Sequence, residues 1–214
     1  MLRTDRRVRG RRRPRHPGRH VGRFDAGADG GESPGHHPDV RARRVSDVDA
    51  LEFRRALSRF ATGVTVVGTE HLGGGVCGLT ANAFSSVSLD PPLVLVCVDR
   101  SANTYGCLVA NGFFAVSFLA ADQHHVSGRF AQRRDDKFDL VRFRLGVTGA
   151  PIVEAAVGHV ECTVEAEHPG GDHGIVVGRV VAAEATDGGE PLVFYGGAYT
   201  TTAEPFALRR AGEA

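Results

Sequence analysis

From Ser46 onward the chain carries two successive hydrophobic periods. Ser46-Asp-Val-Asp49 has the form of a helix start, a hydroxyl cap with an acid three residues on. Phe53, Ala56, Leu57 and Phe60 follow at helical spacing, so a short helix with one apolar face is predicted. Arg54, Arg55 and Arg59 fall mostly off that face. From Gly63 the period shortens. Val64–Val67 reads as a strand, Gly73-Gly-Gly75 as a hairpin turn and Val76–Leu79 as the returning strand. Leu93–Val98 and Phe113–Leu119 are apolar runs of buried-strand length, the former predicted to be fully buried. Between them Ser101–Ala110 reads as a short helix, capped by Ser101 and stopped at Asn111-Gly112.

The second half is mostly β. Strands are predicted over Val157–Glu167, Ile175–Ala185 and Pro191–Tyr195, with a turn at Asp187-Gly-Gly189 joining the last two. Strands at hairpin spacing with two or three short helices predict a mainly β fold, a closed or split antiparallel barrel. A doubly wound parallel sheet would need a long helix between each pair of strands, and none is present.

Composition changes this picture in one respect. The net charge of +1 averages two unlike pieces. Residues 1–44 hold thirteen Arg against five acids, and residues 45–214 hold thirteen Lys or Arg against twenty acids. The first piece is rich in Arg, Gly and Pro and poor in large apolar groups, so residues 1–45 are expected to be a disordered extension. A basic arm for nucleic acid or anionic membrane is the other reading, and a native start near Val45 would remove the segment altogether. The predicted domain is 46–208, followed by a tail at 209–214. Its acidic balance gives no reason to expect a nucleic-acid partner.

The four cysteines, Cys77, Cys97, Cys107 and Cys162, form no C-x-x-C pair and have no His at ligand spacing, so no metal is expected. There is no signal-peptide core and no apolar run long enough for a membrane helix. A reducing, cytoplasmic setting without membrane attachment follows as the plain expectation.

Chemistry has few places to sit. Gly78-Leu-Thr-Ala-Asn-Ala-Phe-Ser-Ser86 is small and hydroxyl-rich, which leaves backbone groups open to the edge of a polar planar ring. An ordinary polar bend between strands reads equally well. Ser101 at a helix start suits phosphate binding as well as simple capping. Arg133-Arg-Asp-Asp-Lys137 is a mixed charge run of the kind that usually forms a solvated loop.

Thr80-Ala-Asn-Ala-Phe-Ser-Ser-Val-Ser-Leu-Asp-Pro-Pro-Leu-Val-Leu-Val96 resembles the flavin-binding signature of the short-chain flavin reductases, the small components of two-component flavin monooxygenases. The likeness continues at Phe60–Val67, Phe113–Phe118, Gly171–Gly174, Gly178–Val180 and Phe194–Tyr199, in the family's order. The resemblance implies an FMN-binding split barrel in a homodimer. It implies reduction of FMN or FAD by NADH or NADPH, with the reduced flavin diffusing to a separate monooxygenase.

By position, the resemblance sets Thr80, Ala81, Asn82 and Ala83 along the flavin ring, with Ser85 and Ser86 close by. Asp99, Arg100, Ser101, Asn103 and Thr104 would receive the ribityl phosphate, and Arg129, Phe130 and Ala131 would form a second flavin-contacting stretch. His173 would be the catalytic residue nearest nicotinamide and flavin. Tyr199 would be a nicotinamide-side contact, with plain packing as the equal alternative. Two rivals stand beside this reading: a split-barrel oxidase of the pyridoxine-phosphate-oxidase type, and a non-catalytic flavin-binding module.

Overall fold

The computed structural model describes residues 48–202. The expected extension at 1–45, the Ser46 cap and the tail at 209–214 lie outside the described residues. In chain order the elements are α1 (Ala50–Leu57), β1 (Thr62–Gly63), β2 (Thr65–Glu70), β3 (Val76–Ala81), β4 (Phe84–Leu89), β5 (Pro92–Asp99), α2 (Asn103–Asn111) and β6 (Phe113–Phe118). After them come α3 (His124–Phe130), β7 (Phe143–Leu145), β8 (Pro151–Val153), β9 (Gly158–Gly170), β10 (His173–Ala185), β11 (Val193–Tyr195) and β12 (Ala198–Thr200).

Seven strands form one antiparallel sheet in the order β3-β2-β6-β9-β10-β5-β4. β3 and β4 are its two opposite edges, yet only Asn82 and Ala83 separate them along the chain. A two-residue link cannot span a flat seven-stranded sheet, because neighbouring strands lie about 4.8 Å apart. The sheet therefore curls until its edges nearly meet, which gives the expected split antiparallel barrel. Its seam falls in the Gly78–Ser86 segment.

Alternation explains the core. Along β2, Val67 faces the barrel interior with Val96, Phe114, Val116 and Val176. Val64 and Val66 face a second core with Leu119, Phe130, Phe138 and Leu192. β2 is therefore apolar on both faces. The β2–β3 hairpin turns where the glycine run predicts, with Gly74 and Gly75 at positive φ.

Four expectations need correction. α1 is capped by Asp49, whose carboxylate accepts the Glu52 N–H, and its apolar face is uncovered: Phe53, Leu57 and Phe60 are all exposed. Spacing predicts a face, not what covers it. β5 is not buried on both sides; Val94, Val96 and Val98 point inward while Leu93, Leu95 and Cys97 lie half-buried on the other face. α2 begins at Asn103 after Ala102, and Ser101 is not its cap. Asp99 takes the Ser101 N–H at 2.8 Å, while the Gly112 N–H closes the far end on the Leu108 carbonyl. The Asp187–Gly189 turn makes no hairpin, because β11 pairs with β1 and β12 in a separate three-stranded sheet. α3 is a seven-residue helix too short to show a period.

Candidate active site

A cleft of about 530 Å³ opens at the seam of the barrel. Thr80, Ala81, Asn82 and Ala83 line it where the chain crosses from β3 to β4. Asp99, Ser101, Asn103 and Thr104 line it around the start of α2, and Phe130 and Ala131 at the end of α3. His173, the first residue of β10, borders it. Segments far apart in sequence thus converge on one concave surface.

The β3 side depends on small side chains. A Cβ on Gly78 would lie 2.9 Å from the Val67 carbonyl oxygen and 3.0 Å from the Phe130 ring. Only glycine lets β3 approach α3 so closely. Thr80 then ties the same two elements, its hydroxyl donating to the Ser127 carbonyl at 2.7 Å.

Five residues carried over from the resemblance do not line the cleft. Ser85 and Ser86 lie farther along β4, where the Ser85 hydroxyl donates to the Ser86 carbonyl. Arg100 turns to Glu167, 3.4 Å away. Arg129 donates to the carbonyls of Asp136 and Lys137, so it shapes the loop after α3. Tyr199 stands behind the wall: its hydroxyl shares a 2.9 Å hydrogen bond with Ser127 Oγ, and its ring packs on Phe194.

The loop after α3 brings in a charge run whose composition reads as a solvated loop, although the family likeness sets Lys137-Phe138 beside the site. Arg133, Arg134, Asp135 and Lys137 all line the cleft. Arg133 reaches Ser101 Oγ at 3.3 Å, so a guanidinium stands at the corner where Arg100 was expected. Lys137 is half-buried, and burial lowers its proton affinity below the usual lysine range. The available signal was Phe138, whose ring is driven into the second core and draws its neighbour inward.

Other groups set the electrostatics. The Ser101 N–H and hydroxyl hold the Asp99 carboxyl below the usual range. The His173 ring donates from Nδ1 to Asp172 Oδ1 at 2.7 Å, which leaves Nε2 as the free nitrogen. Cys77 also lines the cleft, but burial and the adjacent Cys107 thiol push it up to about 12, so it stays protonated and is a poor nucleophile.

The profile of the flavin reductase-like domain matches residues 57–203. The chain belongs to this family. An NADH-dependent flavin reductase of a Rhodococcus species is 46% identical over 155 residues, 72% of this chain and 86% of that protein. The reductase subunit of a flavin-dependent monooxygenase from Rhodococcus jostii is 36% identical over 153 residues, 72% of this chain and 78% of that one. Among solved structures, the Streptomyces globisporus NADH:FAD oxidoreductase in complex with NAD and FAD fragments superposes with a TM-score of 0.70. That protein is 41% identical, and the match covers 73% of this chain and 94% of that one. The flavin reductase-like fold thus accounts for the described barrel.

Proposed function

We propose that the chain is an NADH-dependent flavin reductase that supplies reduced flavin to a separate monooxygenase, with its flavin site in the seam cleft. The observation that carries this reading is the convergence of Thr80–Ala83, the start of α2 and His173 on one cleft in a chain of this family. The residues present fit a flavin. Small side chains at Thr80, Ala81 and Ala83 leave room for a planar ring, and the edge backbone offers donors and acceptors to its polar rim. Ser101, Asn103, the first N–H groups of α2 and Arg133 form a donor-rich corner suited to phosphate, beside the carboxylates of Asp99 and Asp135.

When bound, the two cofactors supply the redox chemistry, a hydride passing from nicotinamide C4 to flavin N5. This chain's residues bind, orient and shield. Thr80 and Gly78 fix the wall, the α2 corner anchors phosphate, and Asp172 holds the His173 ring at the cleft edge so that Nε2 can serve the nicotinamide side. No general base is required for the transfer.

The site admits FMN or FAD, and NADH is taken over NADPH because the relatives' names specify NADH. A homodimer is supported by the apolar face of α1, where Phe53, Leu57 and Phe60 are all exposed. Four free cysteines support a cytoplasmic location.

Steady-state oxidation of NADH and NADPH with FMN, FAD and riboflavin tests the activity. Turnover with NADH and at least one flavin is expected. No turnover with any pair, in air and without it, would reject the reductase in favour of a binding module or an oxidase of a carried substrate.

A further inference from the structure

Lys137 sits at the inner wall of the cleft with its charge only partly engaged. Its Nζ donates to the Gly78 carbonyl at 3.0 Å and the Phe130 carbonyl at 3.1 Å. Gly78 lies on the edge strand β3, and Phe130 is the last residue of α3, whose final carbonyls lack donors within the helix. An ammonium has three donors, so one remains. None of the ion pairs among the described residues includes Lys137. The lysine therefore presents a partly desolvated positive charge and a spare N–H to whatever fills the cleft beside Thr80. Arg133 and Arg134, at the exposed end of the same loop, are screened by water far more.

The flavin-reductase reading gives that charge a task. Transfer of a hydride breaks one C–H bond on the nicotinamide and forms one N–H bond on the flavin. Two electrons and one proton arrive together, so NADH leaves as NAD⁺ and the flavin becomes more negative by one charge. We propose that Lys137 compensates this added charge, so that the site favours reduced, anionic flavin over the neutral-ring oxidised form. The proposal rests on the flavin site described above; the family likeness sets a Lys-Phe pair beside the site at Lys137-Phe138, and the proposal gives its charge a task.

The test measures equilibrium binding of oxidised FMN and of chemically reduced FMN to the full-length protein, without oxygen and without nicotinamide. Lys137→Gln keeps N–H donors for the two carbonyls and removes the charge; Lys137→Arg keeps the charge. In Lys137→Gln the affinity for reduced FMN falls about tenfold relative to oxidised FMN, equivalent to a potential about 30 mV lower for a two-electron couple. Lys137→Arg restores most of the difference. Equal loss for both oxidation states, or no change in either, overturns the proposal and leaves Lys137 a purely structural clamp.

A measurement on the wild type alone stands if Lys137→Gln does not fold. Reduced FMN that binds about tenfold more weakly than oxidised FMN in the wild type also overturns the proposal. Absence of FMN binding in both states would remove the flavin site itself, an outcome separate from the NADH turnover test.

Discussion

Glu161 and Lys137 are both charged groups withdrawn from water, and their surroundings differ in kind. Glu161, on β9, is 2% exposed and accepts the Thr148 N–H and hydroxyl, each at 2.8 Å. Burial pushes its carboxyl up, but these bonds and the Val147 N–H more than reverse that and hold it below the usual range. Its hydrogen-bond donors all come from the loop between β7 and β8. Lys137 spends two donors on carbonyls and keeps one toward open space. A fully satisfied buried charge is architecture, whereas a partly satisfied one beside a cavity is available for a ligand.

The largest effect that would break this contrast is on stability. Glu161→Ala leaves the partly buried Thr148 donors without an acceptor and is expected to cost about 2 kcal/mol in urea unfolding. Flavin affinity of the folded protein should be unchanged. A comparable loss of flavin binding would show that the two charges are not separate in role.

The same contrast recurs at the rim and predicts a middle-sized effect. Arg100 is paired with Glu167, which also accepts the Tyr105 hydroxyl, while Arg133 has no carboxylate partner among the described residues and stands over Ser101. Arg133→Ala should weaken FMN about tenfold and leave riboflavin almost unaffected; Arg100→Ala should change either by less than about twofold. Isothermal titration with the two ligands decides it. The reverse ranking would return the phosphate to Arg100.

The smallest effects are in pH dependence, and both have one sign, stability rising with pH, in separate windows. Glu161 has a lowered folded value, so its contribution is present above about 4.5, the ordinary glutamate value, and is lost as pH falls through the folded value. Wild type should therefore lose stability relative to Glu161→Gln below about pH 4.5. Lys137 has a folded value below 10.5, so the unfolded chain binds more protons between the two values and stability rises with pH there. The stability of wild type relative to Lys137→Met should increase as pH climbs toward about 10. Urea midpoints at a series of pH values read both.

Much of the fold was legible because strands announce themselves locally. Val64–Val67, Leu93–Val98 and Phe113–Leu119 all became strands, and Gly73–Gly75 became a turn. Pairing was less legible. Nothing local in Asn82-Ala83 says that the strands on either side are opposite edges of one sheet, and nothing in Pro191–Tyr195 says that it joins β1. The site divides in the same way. The small segment Thr80–Ala83 and His173 reached the cleft, whereas the arginines were exchanged: Arg100 turned outward to a glutamate on β9, and Arg133 turned inward. Two like charges in polar loops carry no period. Their directions are set by a distant carboxylate in one case, and by Phe138 anchoring the neighbouring loop in the other.

The seam crossed by Asn82 and Ala83 also has a thermodynamic consequence. A ligand seated there touches β3 at one edge of the curled sheet, the Asn82-Ala83 link and the end of β5 next to the other edge, surfaces that an opened chain does not bring together. Its binding is therefore linked to barrel closure, and free flavin at one hundred times its dissociation constant would add about 2.7 kcal/mol to global stability. Handing the reduced flavin to an oxygenase withdraws that support. The melting temperature and protease resistance of this chain would then follow the size of the flavin pool.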